Sequence, residues 1–152
     1  MKEDAVAGKK FGVVSASALK VTAGAVWFAG GIVLTWKGGS LLLEAVQLNH
    51  QAWWIWLGFP AGILLGAVKG FKLFIPSCRK NLTRIDALQS PWIWQFFSAR
   101  FFLLLILMIA AGTALSRLAH GKILLLIPVG VLDLSIAWAL LISFPAFWLA
   151  RK

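Results

Sequence analysis

Charge is scarce and lopsided in this sequence. Only 13% of its 152 residues are charged, and five acids stand against fifteen Lys and Arg. A soluble domain carries about 25% charged residues. With 61% hydrophobic residues, a soluble fold of this length would expose too much apolar surface, so part of the solvent must be lipid. The length allows one domain. Cysteine is nearly absent: Cys78 stands alone, which excludes an internal disulfide. Its neighbours Arg79 and Lys80 would favour a thiolate, but a small residue dipping into an interface accounts for it more simply.

Catalytic signatures are missing too. There is no nucleophile elbow, phosphate loop or paired-acid motif, so no enzyme is expected. The histidines, His50 and His120, fall in separate connectors with only Glu44 nearby in sequence. That does not supply a fixed ligand set, so neither a metal nor another cofactor is expected. The net charge of +10 would suggest nucleic acid in a soluble protein. Here the charges sit at the ends of apolar runs, and no basic stripe is long enough to follow a phosphate backbone. No nucleic-acid partner is expected. Ala16-Ser17-Ala18 looks like a signal cleavage motif but precedes the apolar stretch, so the first span reads as a retained anchor.

What is present are four apolar blocks. Lys20 and Lys37 bracket sixteen uncharged residues, which as a helix reach about 24 Å, short of the roughly 30 Å hydrocarbon core. Outward snorkelling of both lysines would make up the shortfall. Gly38-Gly39 reads as the stop of this helix. Gly38 to Gln51 reads as a connector, in which Ser40 caps a short interfacial helix with Leu41, Leu42, Leu43, Ala45, Val46 and Leu48 against Glu44 and Gln47. The second span begins at the tryptophans Trp53, Trp54 and Trp56. It should kink at Pro60, reach its charged boundary at Lys69 and Lys72, and end at Pro76. A basic amphipathic helix follows, with Cys78, Leu82, Ile85 and Gln89 on one stripe and Arg79, Lys80 and Arg84 on another side. Ser90-Pro91 then leads into a second aromatic belt, Trp92, Trp94, Phe96 and Phe97. Arg100 and Arg117 bracket the third span, which thins at Ala110, Ala111, Gly112 and Ala114. His120-Gly121 is a tight turn into the fourth span, whose single charge is Asp133.

The fold expected is an all-α integral membrane protein. Its four transmembrane helices, at about 19–37, 53–74, 98–118 and 123–149, form two hairpins, with a basic interfacial helix at about 77–89 between spans two and three. The segment up to Lys20, the stretch from Lys69 to Arg100 and the tail hold twelve of the fifteen Lys and Arg. The positive-inside rule therefore puts both termini and that stretch in the cytoplasm, with a cell inner (plasma) membrane as the default location. A weak internal repeat lays Ser17-Ala18 to Leu34 on Ser98-Ala99 to Leu115, and Phe59-Pro60-Ala61 recurs as Phe144-Pro145-Ala146. A duplication of this kind is a parallel repeat of a two-span unit, since each unit returns to the same side.

Three features carry the functional expectations. Gly58, Gly62, Gly66 and Gly70 recur every four residues, leaving one helix face bare so that another backbone can approach. The approaching helix is either one of the chain's own, such as span one, or a partner's. Asp133 lies about 15 Å into its span, where a carboxylate must be paired or neutralised. Thr113 at similar depth, or a backbone carbonyl, is its expected hydrogen-bond partner. Arg79, Lys80 and Arg84 should hold anionic lipid headgroups, each contributing about 1 kcal/mol near the surface. Two classes of function fit. One is a non-enzymatic scaffold or accessory subunit packing through the glycine face against another membrane protein. The other is a small homo-oligomeric transporter or channel built on Asp133.

Overall fold

The computed structural model describes residues 15–87, 92 and 99–149. The charged head, Gln89, Ser90-Pro91, Trp94, Phe96, Phe97 and the basic tail lie outside these residues. Within the described part every regular element is a helix.

The first helix, α1, runs unbroken from Ala16 to Leu48, 33 residues or about 50 Å. Ser15 caps it, its Oγ accepting from the Ala18 N–H at 3.2 Å. Gly38-Gly39 does not stop it, and the segment expected to lie flat as a connector continues the same helix. The reason lies in packing against α5 (Ile123–Ser143). A Cβ on Gly38 would stand 2.9 Å from the Gly130 carbonyl oxygen and the Leu134 nitrogen. Glycine weakens a helix by about 1 kcal/mol relative to alanine, but here it permits backbone-to-backbone contact that holds the helix straight through.

The next helical run, Trp53–Asp86, is also continuous. It opens with a 3-10 turn, Trp53–Leu57, passes into α2, Gly58–Lys69, then a π turn, Gly70–Phe74, and then α3, Ile75–Asp86. Pro60 therefore falls in the first turn of α2, where a missing N–H is tolerated. Pro76 does not end the run. It lies at the start of α3, just past the π turn. The wider turn eases the clash between the proline ring and the carbonyl one turn back. The basic amphipathic helix is thus an extension of the same helical run. It buries Cys78, Leu82 and Ile85, the first three members of its apolar stripe.

Two more helices, α4 (Ala99–Ala119) and the short α6 (Pro145–Leu149), complete the set. The turn between α4 and α5 uses Gly121 at φ +75°, a left-handed conformation that glycine adopts without steric cost.

The central helix is α5, with α1, α2 and α4 packed around it. It runs antiparallel to α1: Gly31 faces Leu141 and Gly38 faces Gly130, and beyond the end of α5 Gly24 faces Phe147 of α6. It runs parallel to α2: Gly58 faces Val131 and Gly70 faces Ile142. One apolar cluster, including Ala23, Trp27, Cys78, Leu82 and Phe147, closes the end near α6. A second, including Leu41, Ala45, Ile55, Leu126 and Val129, closes the end near the α4–α5 turn. Between them lies a layer of glycine crossings and polar side chains. α1, Trp53–Asp86 and Ile123–Phe147 are each long and apolar enough to cross a membrane. Leu124, Trp36, Trp53 and Leu103 are at least 70% exposed, a surface suited to lipid rather than water.

Candidate functional site

The polar groups of α5 are the candidate site, because each is buried and each is met by a donor from another helix. Asp133, 4% exposed, has Lys37 Nζ of α1 at 3.2 Å from its Oδ2. The same Nζ donates to the Gly112 carbonyl oxygen of α4 at 2.9 Å. Gly112 and its small neighbours let α4 come close enough for this contact. Thr113 plays no part: its hydroxyl donates to the Ile109 carbonyl of its own helix at 2.7 Å. Oδ2 of Asp133 accepts no hydrogen bond of good geometry, so its contact with Lys37 is an ion pair without alignment.

Two further clasps flank this one. Lys69 Nζ donates to Ser135 Oγ at 2.9 Å, and that hydroxyl donates onward to the Leu132 carbonyl. Trp27 Nε1 donates to Ser143 Oγ at 2.8 Å. Residues 133 and 135 stand on nearly opposite sides of a helix, so Lys37 and Lys69 serve separate faces of α5. Lys37 and Lys69 were expected to mark span ends, with Lys37 reaching outward. Instead both reach inward. Helical side chains tilt toward the N-terminus of their own helix. Lys37 lies in the C-terminal half of α1 and Lys69 at the end of α2, so each stem leads back into the bundle. Lys20 has the same tilt, but near the start of α1 it leads out of the bundle, where the lysine pairs with Asp86 at 2.7 Å. Helix direction was the signal that would have separated these lysines.

The glycine face of α2 is filled by α5. A Cβ on Gly66 would meet the Ser135 carbonyl oxygen and Trp138 Cβ, each at 2.7 Å. One on Gly62 would meet Leu134 Cβ at 2.8 Å. Gly58 and Gly70 also abut other helices, Gly58 against Leu42 and Val131, Gly70 against Ala139 and Ile142. The helix that covers most of this bare face is α5 of the same chain, with Leu42 of α1 closing it at Gly58.

At the opposite ends of the bundle lie smaller features. Glu44 accepts from the Gly121 N–H at 2.9 Å and stands 2.6 Å from His120 Nδ1, fastening α1 to the α4–α5 turn. His50 is not part of this clasp. Among the described residues no three His, Cys, Asp or Glu are grouped to hold a metal. Arg79 and Lys80 are exposed on α3, whereas Arg84 is half-buried with Nε and Nη2 3.3 Å from Asn81 Oδ1. A groove of about 240 Å³ beside Lys20 is walled by Val21, Phe28, Phe144 and Phe147.

Comparisons with protein-family models, with curated proteins and with solved structures gave no match.

Proposed function

We propose that this chain is a four-span membrane protein that serves as a non-enzymatic accessory or scaffold subunit for another membrane protein. In this reading α4 is the third span, both termini and α3 face the cytoplasm, and the membrane is a cell inner (plasma) membrane. Charge distribution supports that orientation. So does the side-by-side placement of the start of α1 and α6, whose Ser17 and Phe147 line one groove.

The observation that carries the accessory reading is the internal use of the polar layer. Asp133, Ser135 and Ser143 are tied to Lys37, Lys69 and Trp27 of the same chain. The glycine face is consumed by α5 as well. These features hold the bundle together, so contacts with a partner fall on its outer surfaces. α4 is the most exposed helix among the described residues, with Leu103, Ile106, Leu107, Ile109 and Leu118 all open. Exposed α3 arginine and lysine contribute headgroup contacts that fix its depth.

A second reading has one observation in its favour. Oδ2 of Asp133 is buried without a hydrogen bond, and a proton or small cation bound there would satisfy it. This supports a homo-oligomeric transporter that loads Asp133 by displacing Lys37. Affinity purification in native lipid, followed by mass measurement of the intact assembly, separates the two. The accessory reading expects a complex with a different membrane protein. A homo-oligomer that loses ion-coupled flux in Asp133→Asn supports transport instead, and a bare monomer counts against both.

A further inference from the structure

Lys69 lies in the middle of an apolar bundle and, among the described residues, has no carboxylate partner. It lies near the midpoint of the helical run Trp53–Asp86, flanked by Gly66 and Gly70, which abut Ser135 and Ala139 of α5. Its stem leads away from the basic end of that run and toward Ser135. An ammonium group offers three donors. Among the described residues the hydrogen-bond partner of Lys69 is the Ser135 hydroxyl, which supplies no negative charge. The three described acids are committed elsewhere: Glu44 to His120, Asp86 to Lys20 and Asp133 to Lys37. A second copy of the chain therefore brings no spare carboxylate from these positions.

The flank around Lys69 is open. Leu65, one turn before it, is 50% exposed, and Leu132 of α5, whose carbonyl takes the Ser135 proton, is 43% exposed. Lys72, one turn after it, is exposed as well. A charge at this depth is retained where a counter-charge arrives from outside, because hydrocarbon gives it no solvation.

Building on the accessory reading, we propose that Lys69 is the docking residue for a transmembrane helix of another protein that carries an intramembrane Asp or Glu. That helix lies along the flank formed by Leu65, Lys69 and Lys72 of the Trp53–Asp86 run and Leu132 of α5. Its carboxylate pairs with Lys69, and its apolar residues cover the two leucines.

The test uses the full chain in lipid vesicles and synthetic poly-Leu/Ala helices labelled for energy transfer. One probe carries Glu at the depth of Lys69, one carries Gln there, one carries Leu, and one carries Glu a full two turns nearer the outer end. The depth-matched Glu probe binds at least tenfold more tightly than the Leu probe. Lys69→Met keeps the stem, removes the charge and erases that preference, while Lys69→Arg retains it. Equal binding of the Glu and Leu probes, equal binding of the two Glu positions, or an unchanged preference in Lys69→Met overturns the proposal. Thermal melting of Lys69→Met within a few degrees of the parent confirms that the loss is not unfolding; should it melt earlier, retention of the preference by Lys69→Arg, set against its loss in Lys69→Gln, decides. The native-lipid purification is scored separately. A natural partner that remains bound to Lys69→Met leaves the accessory reading standing and removes Lys69 from it.

Discussion

Two glycines should respond to the same substitution with opposite sign. Gly66 and Gly39 both lie within helices, so replacing either by alanine gains about 0.5–1 kcal/mol of helix propensity. At Gly39 the added methyl meets nothing within 4 Å, and the gain stands. At Gly66 it would lie 2.7 Å from both the Ser135 carbonyl oxygen and Trp138 Cβ. Neither is the end of a flexible side chain, so α2 and α5 must separate along the crossing. Overpacking of this kind costs about 1–3 kcal/mol. Separation also lengthens the reach from Lys69 to Ser135, a hydrogen bond to a charged group contributing about 1.5–3 kcal/mol. The net expectation is that Gly66→Ala destabilises by about 2 kcal/mol, while Gly39→Ala is neutral or stabilising by up to about 1 kcal/mol. Equilibrium unfolding in mixed micelles, followed by tryptophan fluorescence, reads both. Equal midpoints for the two variants would refute the reasoning that α5 fills the glycine face.

Other outcomes follow from the same contacts. Trp27→Phe keeps the ring against Phe74 and Phe147 but removes the donor to Ser143, and should destabilise by about 1 kcal/mol in the same assay. Arg79→Gln with Lys80→Gln should weaken the preference for anionic over zwitterionic vesicles by about 2 kcal/mol at low salt, with no change in the unfolding midpoint; Arg84→Gln should also disturb Asn81 and lower the midpoint. Single cysteines placed at Gln51 and at Lys80, in a chain with Cys78→Ser, should be labelled by an impermeant reagent from outside and from inside the cell respectively.

Much of this fold could be read from composition and spacing, and the exceptions share a cause. Apolar blocks located the long helices. The stripe of Cys78, Leu82 and Ile85 correctly marked the buried side of α3. Gly58, Gly62, Gly66 and Gly70 marked a close helix crossing, though not that α5 makes most of it. What failed was local punctuation. Gly38-Gly39 and Pro76 look like stops because propensity disfavours them within helices. Tertiary contact at Gly130 and the π turn before Pro76 override that preference. The partner of Asp133 was missed for a different reason. Charged residues beside apolar runs were assigned to the membrane boundary, and Lys37 was one of them. Only the direction of α1 shows that its stem points inward.

The account rests most heavily on the Lys37–Asp133 pair that joins α1, α4 and α5. A double-mutant cycle in lipid measures it directly, using Lys37→Met, Asp133→Asn and the two together. Breaking a buried pair from one side costs about 3–5 kcal/mol. Lys37 keeps 27% side-chain exposure, so about 3 kcal/mol is expected for either single variant. The double variant should cost less than the sum by more than about 1 kcal/mol, since neither charge is then left alone. Additive effects would contradict the pairing and leave Asp133 with a role independent of Lys37.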